Sequence, residues 1–406
     1  MTCSYGDAKL WVHTPVSQQA SGAWVDDIYR ERIRETPLFG KPNPGDPIPR
    51  QRVELFRGIN LEEHIDSAFY RRGWTDGLPI VVPTVERVHE MLRYSTLSPQ
   101  SVLGEMDPLR GIATAEKLAA NAVMAGCKPA YFPVVLTAAK AILLPEFNLR
   151  GVQTTDENVT PLIIVNGPIV QRLGINGGIG ALGPGWRANA TIGRAIRLIM
   201  QNIGGGWPGV VSLAGIAQPA RYTLCIAELE EKSPWPPLHV DAGLTAETSA
   251  ITILRAESSI NVTGDLSDIV SVMGSATSAF SILHGGKVCV LLGPATALKL
   301  SKDGFTKQDV AKYLFDHARI PIEQWETLWI KKNIGASYGF PSWVGDAEVK
   351  GSIPVVQRWQ DIIIFVAGGD APIAQHVYFP TWGFPPCHVT VPIDLPRDWD
   401  LQDTNF

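Results

Sequence analysis

Side chains able to do chemistry crowd into one short stretch. RYTLCIAELEEKSPWPPLHV (221–240) brings Cys225, Glu228, Glu230, Glu231 and His239 close together along the chain. A strand through Tyr222 to Ile226 sends Cys225 to one face. A cation such as Arg221, or an arginine from the preceding glycine-rich loop, would lower its thiol pKa and make it a nucleophile. Glu228 or His239 is then the proton carrier, since both residue types reach neutral pKa values when their surroundings shift them. The alternative is plain packing: Cys225 as a small core hydrophobe, the glutamates as a solvated turn and His239 against Trp235.

Upstream, INGGIGALGPGWRANATIGRAIRLIMQNIGGG (175–206) joins a glycine-rich loop to a helical pattern. From Thr191 onward, Ile192, Ala195, Ile196, Ile199, Met200 and Ile203 fall on one helix face. The loop before it offers free backbone N–H groups at Gly183 and Gly185, and the helix N-terminus is electropositive, so an anion could sit there with Arg187, Asn189 and Arg194 as donors. The spacing is neither a Walker A loop nor a dinucleotide fingerprint, and the glycines serve equally well for tight turns and close helix packing.

Other candidates stand at strand ends, where open α/β sheets keep ligands. Asn166 ends PLIIVNGP, His284 precedes KVCVLLGP, and His376 follows DIIIFVAGG. Cys127 lies at a helix–helix corner. Cys387, His388 and His376 lack metal-ligand spacing, and no metal or cofactor is expected; a metal-dependent hydration using His239, Glu228, His284 or His376 is a third functional possibility.

The elements that must position these groups read as α/β. The three apolar runs just quoted are continuous, as in strands covered on both faces. Two end in Gly-Pro and lead into helices, which suggests a distant internal duplication. TSAITILRAESSINVTG (248–264) adds strand material, and TKQDVAKYLFDHAR (306–319) is a helix opened by Thr306 with Asp309 in a variant of the capping box. Further elements are a helix ending near Arg72, a buried strand at Leu78–Val82, a helix over 83–94 with Thr84 at its start, and helices in TAEKLAANAVMAG and PAYFPVVLTAAKAILL. The expected organisation is an extended proline-rich arm over 1–60, an α/β domain over 61–240 with the glycine-rich loop, and a second α/β portion over 241–406.

The chain has 406 residues, 45% of them hydrophobic, with net charge -5 and five widely spaced cysteines. That composition argues against nucleic-acid binding, a disulfide framework, a secretory leader or a membrane span, and points to a cytoplasmic protein with reduced thiols. The arm and the twelve tryptophans suit a homo-oligomer.

GWTDGLPIVVPTVERV (73–88), NAVMAGCKPAYFPVVLTAA (121–139), 164–199, 225–240 and 362–383 together resemble the long N-terminal region of bacterial UGSC-motif (seleno)proteins and their stand-alone relatives. The resemblance spans most of 65–395 and implies a shared fold and pocket. In the longer relatives a small domain with a U/C-G-S-C motif follows, which implies thiol or selenol redox chemistry; this chain has no such motif and departs from the family pattern at Leu229 and Ala374. Two function classes follow. One is an enzyme, a hydrolase, lyase or thiol-linked oxidoreductase, acting on a small anionic or carbonyl-bearing metabolite with Cys225, Glu228 and His239 as catalytic groups. The other is a substrate-binding or scaffold subunit that works with a separate UGSC-like partner.

Overall fold

The structure, a computed structural model, describes residue 56 and residues 59–335, 339–370, 373–397 and 399. Apart from residues 56, 59 and 60, the expected arm lies outside the described residues.

Two four-stranded sheets lie face to face, and helices cover their outer faces. The first has the order β12-β5-β3-β4, with β3 Thr160–Asn166, β4 Cys225–Ala227, β5 Ala250–Ala256 and β12 Val389–Pro392. The second has the order β10-β7-β11-β6, with β6 Ile260–Thr263, β7 Val288–Leu292, β10 Ile362–Val366 and β11 Gln375–Phe379. Two small antiparallel pairs complete the strands: β1 Val102–Met106 with β2 Gly111–Thr114, and β8 Arg319–Pro321 with β9 Ser352–Pro354.

Alternation along each strand explains the layers. Leu162, Ile164, Ile226 and Leu254 meet Leu291, Ile363, Phe365 and Phe379 between the sheets. Ile163, Val165, Cys225 and Ile253 face outward against helices α1 Ala115–Ala125, α2 Phe132–Ile142 and α3 Arg187–Asn202. Val288, Val290, Ile362 and Ile364 face helices α5 Leu266–Met273 and α6 Lys307–His317 on the far side. Because β3, β7 and β10 are covered on both faces, they read as apolar runs in the sequence. The fold is α/β, as the sequence indicates.

The two sheets share one pairing scheme. β4 runs parallel to β3, which is antiparallel to β5, which is antiparallel to β12. Likewise β10 runs parallel to β7, which is antiparallel to β11, which is antiparallel to β6. The outer strands are exchanged: β6 follows β5 in the chain but joins the second sheet, and β12 follows β11 but returns to the first. A boundary at residue 240 therefore cuts between strands of one sheet, since β5 pairs with β3 along its whole length.

Helix α3 begins at Arg187, four residues before its apolar pattern does, and buries Ile192, Ala195, Ile196, Ile199 and Met200. Burying each large apolar side chain contributes about 1.5–3 kcal/mol, more than the roughly 1 kcal/mol cost of Gly193 inside the helix. Glycine is needed there because a Cβ would stand 2.7 Å from the Leu224 backbone nitrogen.

Several local expectations change. Residues 78–82 form no strand: Pro79 and Pro83 lack N–H donors, and Val81 N–H bonds to Met124 O on α1 instead. The strand expected at 222–226 is shorter and later, at β4. The run 248–264 divides into β5 and β6 where the chain changes sheets. Thr306 and Asp309 form a full reciprocal capping box rather than a weakened one. Thr84 caps Val85–Leu92, as expected. Among the described residues no single helix is long and apolar enough to cross a membrane.

Candidate functional site

β3 and β4 are parallel, so both end on the same side of the sheet, and the polar residues cluster there. Asn166 is the last residue of β3, and Glu228 follows β4 directly. The Asn166 amide nitrogen bridges two carboxylates, donating to Glu228 Oε2 at 2.8 Å and to Glu230 Oε1 at 2.9 Å. Glu230 Oε1 also accepts from Gly167 N at 2.7 Å. Gly167 has φ +84, and a Cβ would lie 2.5 Å from Thr248 O, so only glycine turns the chain here and still presents its N–H. The extended Pro236-Pro237 step leads into the short helix α4 Leu238–Asp241, whose first N–H donates to Glu228 Oε2 at 2.8 Å. The same turn carries His239, with Nδ1 3.8 Å from Glu230 Oε1.

Burial governs the electrostatics. Glu228 is 2% exposed, and loss of solvent pushes its carboxyl up to about 7; Lys307 and the bonds from Leu238 N–H and Asn166 pull it down, and Glu230 adds repulsion. Lys307 is itself bound to Asp241, 2.5 Å away. Within this cluster four buried polar atoms make no hydrogen bond: Glu228 Oε1, Asn166 Oδ1 and both ring nitrogens of His239, which is 0% exposed. Raised carboxyls occur elsewhere too: burial lifts Glu157 to about 7 and Glu257 to about 8, each with a neighbouring acid adding to it. Glu228 differs in what surrounds it, an amide, a second carboxylate and a free imidazole at the ends of two parallel strands.

The glycine-rich loop is anchored beside this cluster. Ala227 N–H bonds to Asn176 O, and Gly368 N–H to Gly177 O. Asn189 fixes the loop: its Oδ1 accepts from Asn176 N, and its Nδ2 donates to Asn176 O, Ala181 O and Cys225 O. Its polar atoms are thus spent on the fold rather than turned toward a ligand. Gly183, Gly185 and Arg187 lie exposed around the start of α3, with Arg187 Nε 3.4 Å from Gly126 O, but the Gly183 N–H is not free as expected, since it donates to Gly180 O at 2.8 Å within the loop's own turn.

The other expected site residues are elsewhere. Cys225 points away from Glu228 into the apolar layer beneath α3, 4% exposed, and burial raises its thiol, with Cys127 adding to the effect. No cation facing it lowers its pKa, so the activated-thiolate expectation finds no support in its surroundings. Cys127 is also buried and pushed up to about 12. Arg194 forms a fork with Asp76, at 2.7 and 2.8 Å, and also donates to Leu78 O and Pro79 O, leaving it no free face for substrate. His376 accepts from Gly293 N at 3.0 Å on Nδ1 and meets Gly264 O at 3.1 Å through Nε2, so both nitrogens tie loops together. His284 packs between Phe280, Trp382 and Phe384, and burial lowers its pKa to about 4, with Arg255 adding to the effect. His239, Glu228, His284 and His376 therefore do not assemble, and among the described residues no group of three or more His, Cys, Asp or Glu is arranged to hold a metal ion.

Asn166, Glu228 and His239 are thus brought together, while Cys225, Asn189, Arg194, His284 and His376 are not part of that cluster. Sequence reasoning passed over Glu230 as a site residue, although its position two residues past Glu228, in a single tight turn, was a usable signal. It also passed over Lys307, which reaches the site from a helix seventy-nine residues after Glu228. Compared with known proteins, the chain matches no protein-family model and no curated protein.

Proposed function

We propose that the chain is an enzyme acting on a small anionic or carbonyl-bearing metabolite by general acid–base catalysis at Glu228, in the manner of a hydrolase or lyase. A carboxyl near 7 is about half protonated at neutral pH, so it can take up a proton and return it within one cycle. Asn166 and the Leu238 N–H fix Oε2, leaving Oε1 as the working oxygen. Burial keeps the Glu228 carboxyl high and the partly exposed Glu230 adds repulsion; His239 supplies a second proton-carrying group. The substrate's anionic group would lie at the start of α3, on the Gly185 N–H and on Arg187.

One observation carries this reading: in one cluster the Oε1 of the buried Glu228 carboxyl and both ring nitrogens of His239, which lies 3.8 Å from Glu230, make no hydrogen bond. Leaving such atoms unpaired costs about 1–3 kcal/mol each; other buried atoms, Gln153 Oε1 and Glu257 Oε1 among them, are unpaired too, and this cluster differs in gathering four of them at the ends of β3 and β4. The test is turnover of a panel of small esters, amides, hydroxy acids and β-substituted carboxylates by the full chain and by Glu228→Gln. The expected result is activity on at least one class, a loss of about 10²-fold or more in the variant, and disappearance of a rate-profile limb near pH 7. Unchanged turnover in a folded Glu228→Gln protein would overturn the assignment.

A further inference from the structure

At the opposite end of β3 and β4 lies a cavity of about 330 Å³. Its walls include Arg197, Arg221, Gln201, Ser212 and Asp76, and Tyr70 and Tyr222, both largely exposed, stand at its edge. Arg197 is 9% exposed; its Nε donates to Arg221 O at 2.8 Å, and its Nη2 lies 3.5 Å from Thr160 Oγ1 at the start of β3. The Arg221 Nη2 donates to Ser212 Oγ at 2.9 Å. From Thr160 to Asn166 β3 spans about 20 Å, at roughly 3.3 Å per residue, so this cavity is separate from the Glu228 site.

We propose that this cavity binds a small oxyanion, a carboxylate or phosphate group of a metabolite, through Arg197 and Arg221. Two guanidinium groups stand close together, one of them almost wholly buried, and among the described residues neither forms an ion pair. The acid in the cavity wall, Asp76, is already matched by the fork from Arg194. Burying cations together is costly: burial disfavours the charge on both arginines, Arg221 adds to the effect on Arg197, and Asp76 offsets only part of it. An oxyanion removes that cost by accepting from the guanidinium donors that the carbonyl and hydroxyl oxygens leave open. The volume lies at the lower end of the roughly 300–1,000 Å³ of ligand pockets, which suits a small metabolite. The inference is independent of any role for Glu228.

The test is calorimetric titration of the full chain with inorganic phosphate and, separately, with succinate, against sodium chloride at matched ionic strength. Saturable binding of either probe is expected, weakened about tenfold or more by Arg221→Gln and unchanged by Lys302→Gln, which alters an exposed charge elsewhere. Phosphate binding alone identifies a phosphorylated ligand, and succinate binding alone a carboxylate. Arg221→Lys keeps the charge but loses the fork, and is expected to weaken binding as well; it carries the test should Arg221→Gln fail to fold. Absence of saturable binding for both probes, or undiminished affinity in the folded Arg221 variants, overturns the proposal.

Discussion

β3 and β4 start beside Arg197 and Arg221 and end at Asn166 and Glu228, and the two ends leave opposite chemistry unpaired. At the start, two guanidinium groups line a cavity whose acid, Asp76, is already held by the fork from Arg194. At the finish, two carboxylates share one amide, and the nearby lysine is already held by Asp241. The difference teaches that one rigid strand pair can hold two chemically distinct environments some 20 Å apart, each stabilised by packing rather than by the other. The second sheet sharpens the point. β7 and β10 have the same parallel pairing, yet Gly293 follows β7 and Ala367 follows β10, so that end carries no acid at either position. A shared backbone scheme thus does not by itself create a site, and the side chains after β3 and β4 do.

The largest expected effect that breaks the comparison is the loss of about 10²-fold in turnover on Glu228→Gln, which should leave oxyanion affinity at the Arg221 end unchanged. Next is the effect of Arg221→Gln, about tenfold or more in anion binding, without loss of the Glu228 limb in the pH profile. If either substitution moves both readouts in a folded protein, the two ends are one site and the comparison fails.

Stability against pH gives a smaller effect. Burial raises the Glu228 carboxyl from 4.5 to about 7, so in that window the folded chain holds a proton that the unfolded chain has released. Its contribution therefore makes stability fall as pH rises from about 4.5 through 7. Glu228→Gln removes the effect: denaturant unfolding should show the variant gaining about 2–3 kcal/mol relative to wild type between about pH 5 and pH 8. Glu157 and Glu257 contribute to both proteins and cancel in the difference. A pH-independent difference would mean that Glu228 ionises normally.

The smallest expected catalytic effect belongs to Cys225→Ala. Since the thiol lies in the apolar layer beneath α3, the substitution should cost about 1–2 kcal/mol of stability through the cavity it leaves, and little turnover. Loss of turnover comparable to that of Glu228→Gln would restore thiol chemistry to the account.

Much of the fold was legible because its strands are covered on both faces: PLIIVNGP, KVCVLLGP and DIIIFVAGG each lie where an unbroken apolar run indicates a buried strand. The exchange of β6 and β12 between sheets was not legible, because it depends on pairing between segments more than one hundred residues apart, such as Val262 with His376 and Ile253 with Val389. At the acid site, residue types and spacing picked out Glu228 and His239, but the choice between the two faces of β4 decided Cys225, and local pattern did not reveal which face opened toward Asn166. Arg197 escaped notice because it sits one residue past Ile196 on the flank of an apolar helix face, where arginine usually snorkels to solvent. Here Thr160 and the Arg221 backbone hold it inside instead.

The most direct test of the central claim is isotope-edited infrared difference spectroscopy of glutamate carboxyls, wild type minus Glu228→Gln, over about pH 5 to 9. The account predicts a protonated-carboxyl band belonging to Glu228 that disappears with a midpoint near 7. A Glu228 carboxyl already fully ionised at about pH 6 would contradict it.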